Sequence, residues 1–140
     1  MRVILDTCVV AELRKPNAHE GVRHAVAQIA TENLFVSVLT VGELVKGVSL
    51  LSEGRKKREL STWLIGLEQQ FADRILPVDH ETARVWGEVS ARTQGKGTPI
   101  PVVDALIAST ALRHGIHVMT RNTKHFSATG ALVVDPWTDL

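Results

Sequence analysis

The sequence predicts an α/β sandwich built on a five-stranded, mostly parallel sheet. Three observations carry that expectation. Short apolar runs alternate with longer stretches of helical period. The runs are apolar throughout, as in strands covered on both faces, with no alternation of apolar and polar residues. Strand and helix also follow one another along nearly the whole chain, the order that right-handed βαβ crossovers produce.

The elements read as follows. Val3-Ile4-Leu5 is the first strand. A helix from about Thr7 to Arg14 follows and stops at Pro16. Asn17 is the expected cap of a second helix reaching to about Thr31. Leu34-Phe35-Val36 is the second strand, and a third helix runs from near Thr40 to about Leu51. Between Arg55 and Ala72, Leu60, Trp63, Leu64, Leu67 and Phe71 recur at helical spacing on one face. Ile75-Leu76-Pro77-Val78 is the third strand, and Pro77, which has no N–H to donate, assigns it to a sheet edge. Glu81 to Arg92 is helical, and Gly95 to Pro101 is a loop of breakers. Pro101 suits the first turn of a helix that runs to His114 and stops at Gly115. Ile116–Met119 and Leu132–Val134 complete the sheet.

Composition narrows the class. A chain of 140 residues suits one domain, expected over 1–140. Hydrophobic residues make up 44% and charged ones 22%, so a packed core is expected and disorder is not. Cys8 is the one cysteine, which rules out an internal disulfide and fits a reducing compartment. No run approaches the ~18 apolar residues needed to span a bilayer. Asp6 comes too early for a secretory signal, so a cytoplasmic location without membrane attachment is expected. The net charge of +1 excludes a basic nucleic-acid coat but not a nuclease, whose acids offset cations elsewhere.

Ligands of parallel α/β sheets bind at the carboxyl ends of the strands. Asp6 follows the first strand, Glu43 lies in the first turn of the helix after the second, and Asp104 lies in the first turn of the helix before the fourth. All three fall on that edge, as do Thr120, Arg121 and Asn122 after the fourth strand. Carboxylates brought together repel one another unless a cation sits between them. An oxygen-only set suits Mg²⁺, or Mn²⁺ in its place, and the chemistry of phosphodiester hydrolysis. Each acid also has a plain structural reading. Asp6 and Asp104 sit where a helix start favours negative charge, and Thr40 with Glu43 has the spacing of a capping box.

Val3-Ile4-Leu5-Asp6-Thr7, Ser37 through Leu44 with Gly47, Val103 through Ala108, and Thr120-Arg121-Asn122 with Phe126 together resemble the PIN-domain ribonucleases. Within these, the chain is similar to the VapC-type and FitB-type toxins of bacterial toxin–antitoxin pairs, and Val134-Asp135-Pro136-Trp137 is similar to the FitB-like branch. The resemblance implies a five-stranded parallel sheet and Mg²⁺- or Mn²⁺-dependent endonucleolytic cleavage of RNA. It also implies homodimers, assembled further with a small cognate antitoxin that inhibits them. It makes Asp6, Glu43 and Asp104 the metal-binding and catalytic acids. Two positions depart from the pattern. Cys8 stands where the family often has Asn, and Asn122 stands where many members carry a fourth acid. Asn122 can still hydrogen-bond a metal-bound water, so it joins the catalytic candidates, but one firmly held ion is expected.

Arg121 and Lys124 are the cations expected to meet a phosphate, with Thr120 beside them as a further substrate contact. The basic run Arg55-Lys56-Lys57-Arg58 reads either as an RNA grip or as a solvated face. The six histidines show no metal spacing. No nucleophile elbow or Gly-rich phosphate loop is present, and the paired acids of a receiver domain are missing. Trp63, Trp86 and Trp137 are expected as core or dimer contacts away from the strand edge. The remaining alternatives are a PIN nuclease of RNA maturation or of DNA, and a non-catalytic binding relic of the fold.

Overall fold

The computed structural model describes residues 1–138. Five strands form one parallel sheet: β1 (Val3–Leu5), β2 (Leu34–Ser37), β3 (Ile75–Leu76), β4 (His117–Met119) and β5 (Val133–Val134), in the order β3-β2-β1-β4-β5. β3 occupies an edge and ends before Pro77, as the missing N–H requires. Seven helices flank the sheet: α1 (Thr7–Leu13), α2 (Glu20–Ala27), α3 (Val38–Ser49), α4 (Arg55–Gln70), α5 (His80–Gly95), α6 (Val102–His114) and α7 (Thr123–Ser127).

Alternation along β1 divides the core into two halves. Val3 and Leu5 point to one face, where Val9 and Val10 of α1, Val22 of α2, and Leu64 and Leu67 of α4 cover them. Ile4 points to the other face, against Ile107, Ala108 and Ala111 of α6 and Phe126 of α7. α5 packs on the outside of α6. α6 is buried along most of its length despite Ser109 and Thr110. Their hydroxyls bond the carbonyls of Ala105 and Leu106 one turn back, at 2.6 and 2.8 Å, so burial strands no donor. Gly115 closes this helix in the left-handed conformation, φ 66°.

The starts of α3 and α2 and the end of α2 depart from the sequence expectation for definite reasons. α3 starts at Val38 because Ser37, the last residue of β2, caps it by accepting the Leu39 N–H at 3.0 Å. Thr40 is therefore inside the helix and fully buried, and Glu43 lies in the second turn, so the capping-box reading of this pair fails. α2 starts at Glu20, capped by the His19 Nδ1 that accepts the Gly21 N–H at 3.0 Å, and not at Asn17. It ends at Ala27, and Thr31–Asn33 is a separate 3₁₀ turn. α7 is a short helix that hydrophobic periodicity does not reveal. No helix among the described residues is long and apolar enough to cross a membrane.

Candidate functional site

The site sits where the strand order reverses. β1 neighbours β2 on one side and β4 on the other, and their crossovers leave in opposite directions. The register of β1 and β4 pairs Leu5 with Met119, which sets the next residues, Asp6 and Thr120, side by side. The Asp6 N–H bonds the Met119 carbonyl at 2.9 Å, and the Thr120 hydroxyl donates to Asp6 Oδ2 at 2.8 Å. Asp6 is also the N-cap of α1, its Oδ1 accepting the Thr7 N–H at 2.9 Å. The Cys8 thiol approaches Oδ2 at 3.5 Å.

Asp6 is 4% exposed. Burial pushes its carboxyl above the ordinary carboxylate range, and the charge of Asp104 pushes the same way. The bonds from Thr120, Thr7 and Cys8 oppose the shift without cancelling it. The Cys8 thiol is likewise raised, first by burial and then by the Asp6 charge. A buried, acylation-type nucleophile needs the opposite shift, so Cys8 belongs to the packing and polar surround of Asp6.

Asp104 is the third residue of α6, close to the positive end of that helix. Its Oδ2 lies 2.8 Å from His125 Nδ1, in an exposed contact between α6 and α7. Glu43 is tied to α1: the Thr7 hydroxyl donates to its Oε1 at 2.6 Å and stands 3.0 Å from the Thr40 hydroxyl. Glu43, Lys46 and Val103, the neighbour of Asp104, line one open cleft of about 660 Å³ between α3 and the start of α6. The structure thus brings Asp6 within electrostatic reach of Asp104 and sets Glu43 on the residue after Asp6. It does not draw them into a closed cage. Among the described residues, no three His, Cys, Asp or Glu side chains come together closely enough to hold an ion alone.

The donor chemistry still fits a hard divalent cation. The oxygen-bearing set is built around a buried carboxylate that forms no ion pair among the described residues. Mg²⁺ usually keeps several waters and takes one or two carboxylates, not an all-protein cage. Two carboxylates in mutual reach with a third nearby match that habit better than a preformed cluster would.

The other expected contacts divide. Thr120 is fully buried, with its hydroxyl between Asp6 and the Asn122 N–H at 3.0 Å, so it supports the carboxylate from below. Asn122 is exposed and caps α7 through no side-chain bond. Arg121 and Lys124 are exposed beside it, and the Arg121 guanidinium lies 5.0 Å from the centre of the Trp137 ring. Trp137 packs against the core as expected and also meets Arg121 at the strand edge, a contact the sequence reading did not foresee. In the run 55–58, Arg55 pairs with Glu59 and Lys57 with Glu53, as on a solvated face, while Lys56 and Arg58 are exposed. Sequence reasoning missed Thr7, Lys46 and His125. Thr7 adjoins Asp6 in the chain and offered a signal. Nothing local marks the other two.

A family model described as the PIN domain matches residues 3–132. Toxin FitB of Neisseria gonorrhoeae is 36% identical over 98% of this chain and 99% of its own length. VapC ribonuclease Y4jK of Sinorhizobium fredii is 32% identical over 96% of this chain and 97% of its own. The crystal structure of FitAcB from Neisseria gonorrhoeae superposes with a TM-score of 0.92 at 35% identity, covering 97% of this chain and 99% of that one.

Proposed function

The chain belongs to the PIN-domain family, and on that premise we propose that it is a Mg²⁺-dependent endoribonuclease, the toxin of a toxin–antitoxin pair. The observation that carries the reading is Asp6, a carboxylate 4% exposed, raised by burial and by Asp104, and neutralised by no ion pair among the described residues. A fold that only needed a helix cap there could use an uncharged Asn or Ser. Support also comes from the relatives, one named a toxin and one a ribonuclease.

Asp6 and Asp104 would hold the ion, with Glu43 bound directly or through water, and Mn²⁺ shares the oxygen preference. When bound, such an ion lowers the pKa of a coordinated water and offsets charge on a phosphate. The chain's own residues do the rest. Thr120, the Thr7 N–H and Cys8 fix the Asp6 carboxylate. Arg121 and Lys124, exposed next to Asn122, and Lys46 in the cleft supply cations for the RNA backbone. The Asn122 amide is available to orient a water. Exposed Val38 and Leu50, at the two ends of α3, give the cleft an apolar lining together with Leu39 and Val103, suited to a second copy of the chain or to a small antitoxin. We read the location as cytoplasmic.

Cleavage of a labelled RNA by the purified chain tests the reading. Activity should require Mg²⁺ or Mn²⁺, stop with EDTA, and fall by at least about a hundredfold in Asp104→Asn. Metal-independent cleavage, or an Asp104→Asn variant as active as the parent, overturns it.

A further inference from the structure

We propose that His125 is a positioning residue for Asp104, holding its carboxylate for the cation through the Nδ1–H bond to Oδ2. The proposal rests on the metal-site reading above and concerns a residue that reading does not use. The contact is short, 2.8 Å, and joins residues 21 apart in the chain on two helices. It is also built on a firm base. His125 precedes Phe126, which is fully buried against Ile107, Ala108 and Ala111 of α6. Phe126 packs α7 against the helix that carries Asp104, which holds together the backbones that present the imidazole and the carboxylate.

Each of the other two acids also has one side-chain hydroxyl as a partner. Asp6 takes a side-chain bond from Thr120 and Glu43 takes one from Thr7, each from a neighbouring element. His125 completes the set. With Nδ1 donating to Oδ2, Oδ1 of Asp104 is left for an ion or a bound water. Hydrogen-bonded partners of metal-binding carboxylates orient the ligand, and their loss typically costs 10–100-fold in metal affinity or activity. The His125 side chain is 46% exposed and that of Asp104 19%, so the pair sits at the mouth of the site and not in the core. Truncating the imidazole should therefore leave the packing of α7, which depends on Phe126, in place.

Asparagine and glutamine separate positioning from direct contact with RNA. Asn puts an amide nitrogen close to where Nδ1 stands, and Gln puts one close to Nε2. Mn²⁺ binding to the full chain without RNA, followed by electron paramagnetic resonance, gives a readout independent of turnover. We expect His125→Ala to weaken Mn²⁺ binding about tenfold with an unchanged melting temperature. His125→Asn should recover most of the loss, and His125→Gln should not. In cleavage assays, kcat of His125→Ala should return toward the parental value at saturating Mn²⁺, with KM for RNA unchanged. Wild-type Mn²⁺ affinity in His125→Ala overturns the proposal. So does rescue by Gln alone, or a kcat loss that persists at saturating metal, either of which assigns the ring to the RNA. Asp104→Asn serves as the control. If it binds Mn²⁺ as the parent does, the metal-site reading itself fails and takes this inference with it.

Discussion

Asp6 and Asp104 are two acids of one site, held in opposite ways. Asp6 is buried at the carboxyl end of the central strand and takes bonds from Thr120, Cys8 and the Thr7 N–H. Its position follows from strand register, because the Leu5–Met119 pair sets Thr120 beside it. Asp104 stands at the mouth of the site on a helix start, held by one imidazole from a separate short helix. The buried acid gains precision and bears a desolvation cost, visible in its raised pKa. The outer acid owes its orientation to a contact that a single substitution removes. Within the proposed metal site, then, a rigid carboxylate that tolerates little is matched with one whose aim can be tuned.

The largest test of that contrast is Asp6→Asn. Cleavage should fall by about 10²–10³-fold, yet the fold should not suffer. The raised pKa means the folded chain holds this proton more tightly than the unfolded one. The folded state therefore loses stability as pH rises from the ordinary carboxylate value through the raised one. Asn has no such loss. Its melting temperature relative to the parent should climb across that window and then level off. Mg²⁺ should narrow the gap by stabilising only the parent, by about 2.7 kcal/mol at a hundredfold excess over Kd. A variant less stable than the parent at neutral pH would mean that the charge of Asp6 is structural.

Glu43→Gln should have the next largest effect. The Gln side-chain oxygen can still accept the Thr7 hydroxyl that now bonds Oε1, so melting should be unchanged, while cleavage falls about tenfold through lost charge near the ion. The older alternative for Glu43, a cap partner of Thr40, no longer competes, since Ser37 caps α3. Full activity in Glu43→Gln would reduce the site to Asp6 and Asp104.

Much of this was legible in the sequence, and the rest was hidden for definite reasons. Apolar runs marked β1, β2 and β4, because buried parallel strands need them, and Pro77 marked the edge strand. Asp6 and Asp104 were legible because strand ends and helix starts can be counted along the chain. The start of α3 was misplaced because Ser37 reads as the end of a strand and Thr40 as a good cap; tertiary burial of Thr40 decided between them. His125 was invisible because its partner lies 21 residues away, and α7 is too short to show a period. Register, which joins Thr120 to Asp6, leaves no local trace in either segment.

Thr120→Val gives the smallest and sharpest test. Valine keeps the shape of the buried side chain but removes the donor to Asp6 and the acceptor of the Asn122 N–H. Losing bonds of this kind to a buried charge costs about 1–3 kcal/mol. Because the hydroxyl favours the ionised carboxylate, its removal raises the Asp6 pKa further. The destabilisation should thus be slight in acid, where Asp6 is protonated, and grow to its full size as Asp6 ionises. Urea denaturation of Thr120→Val and Thr120→Ser at acid and neutral pH measures it, with Ser restoring the parent. Combined with Asp6→Asn, the valine substitution should lose its pH dependence altogether. If the double variant keeps it, the hydroxyl acts on some group other than Asp6, and the rigid half of the site is not organised by register as described.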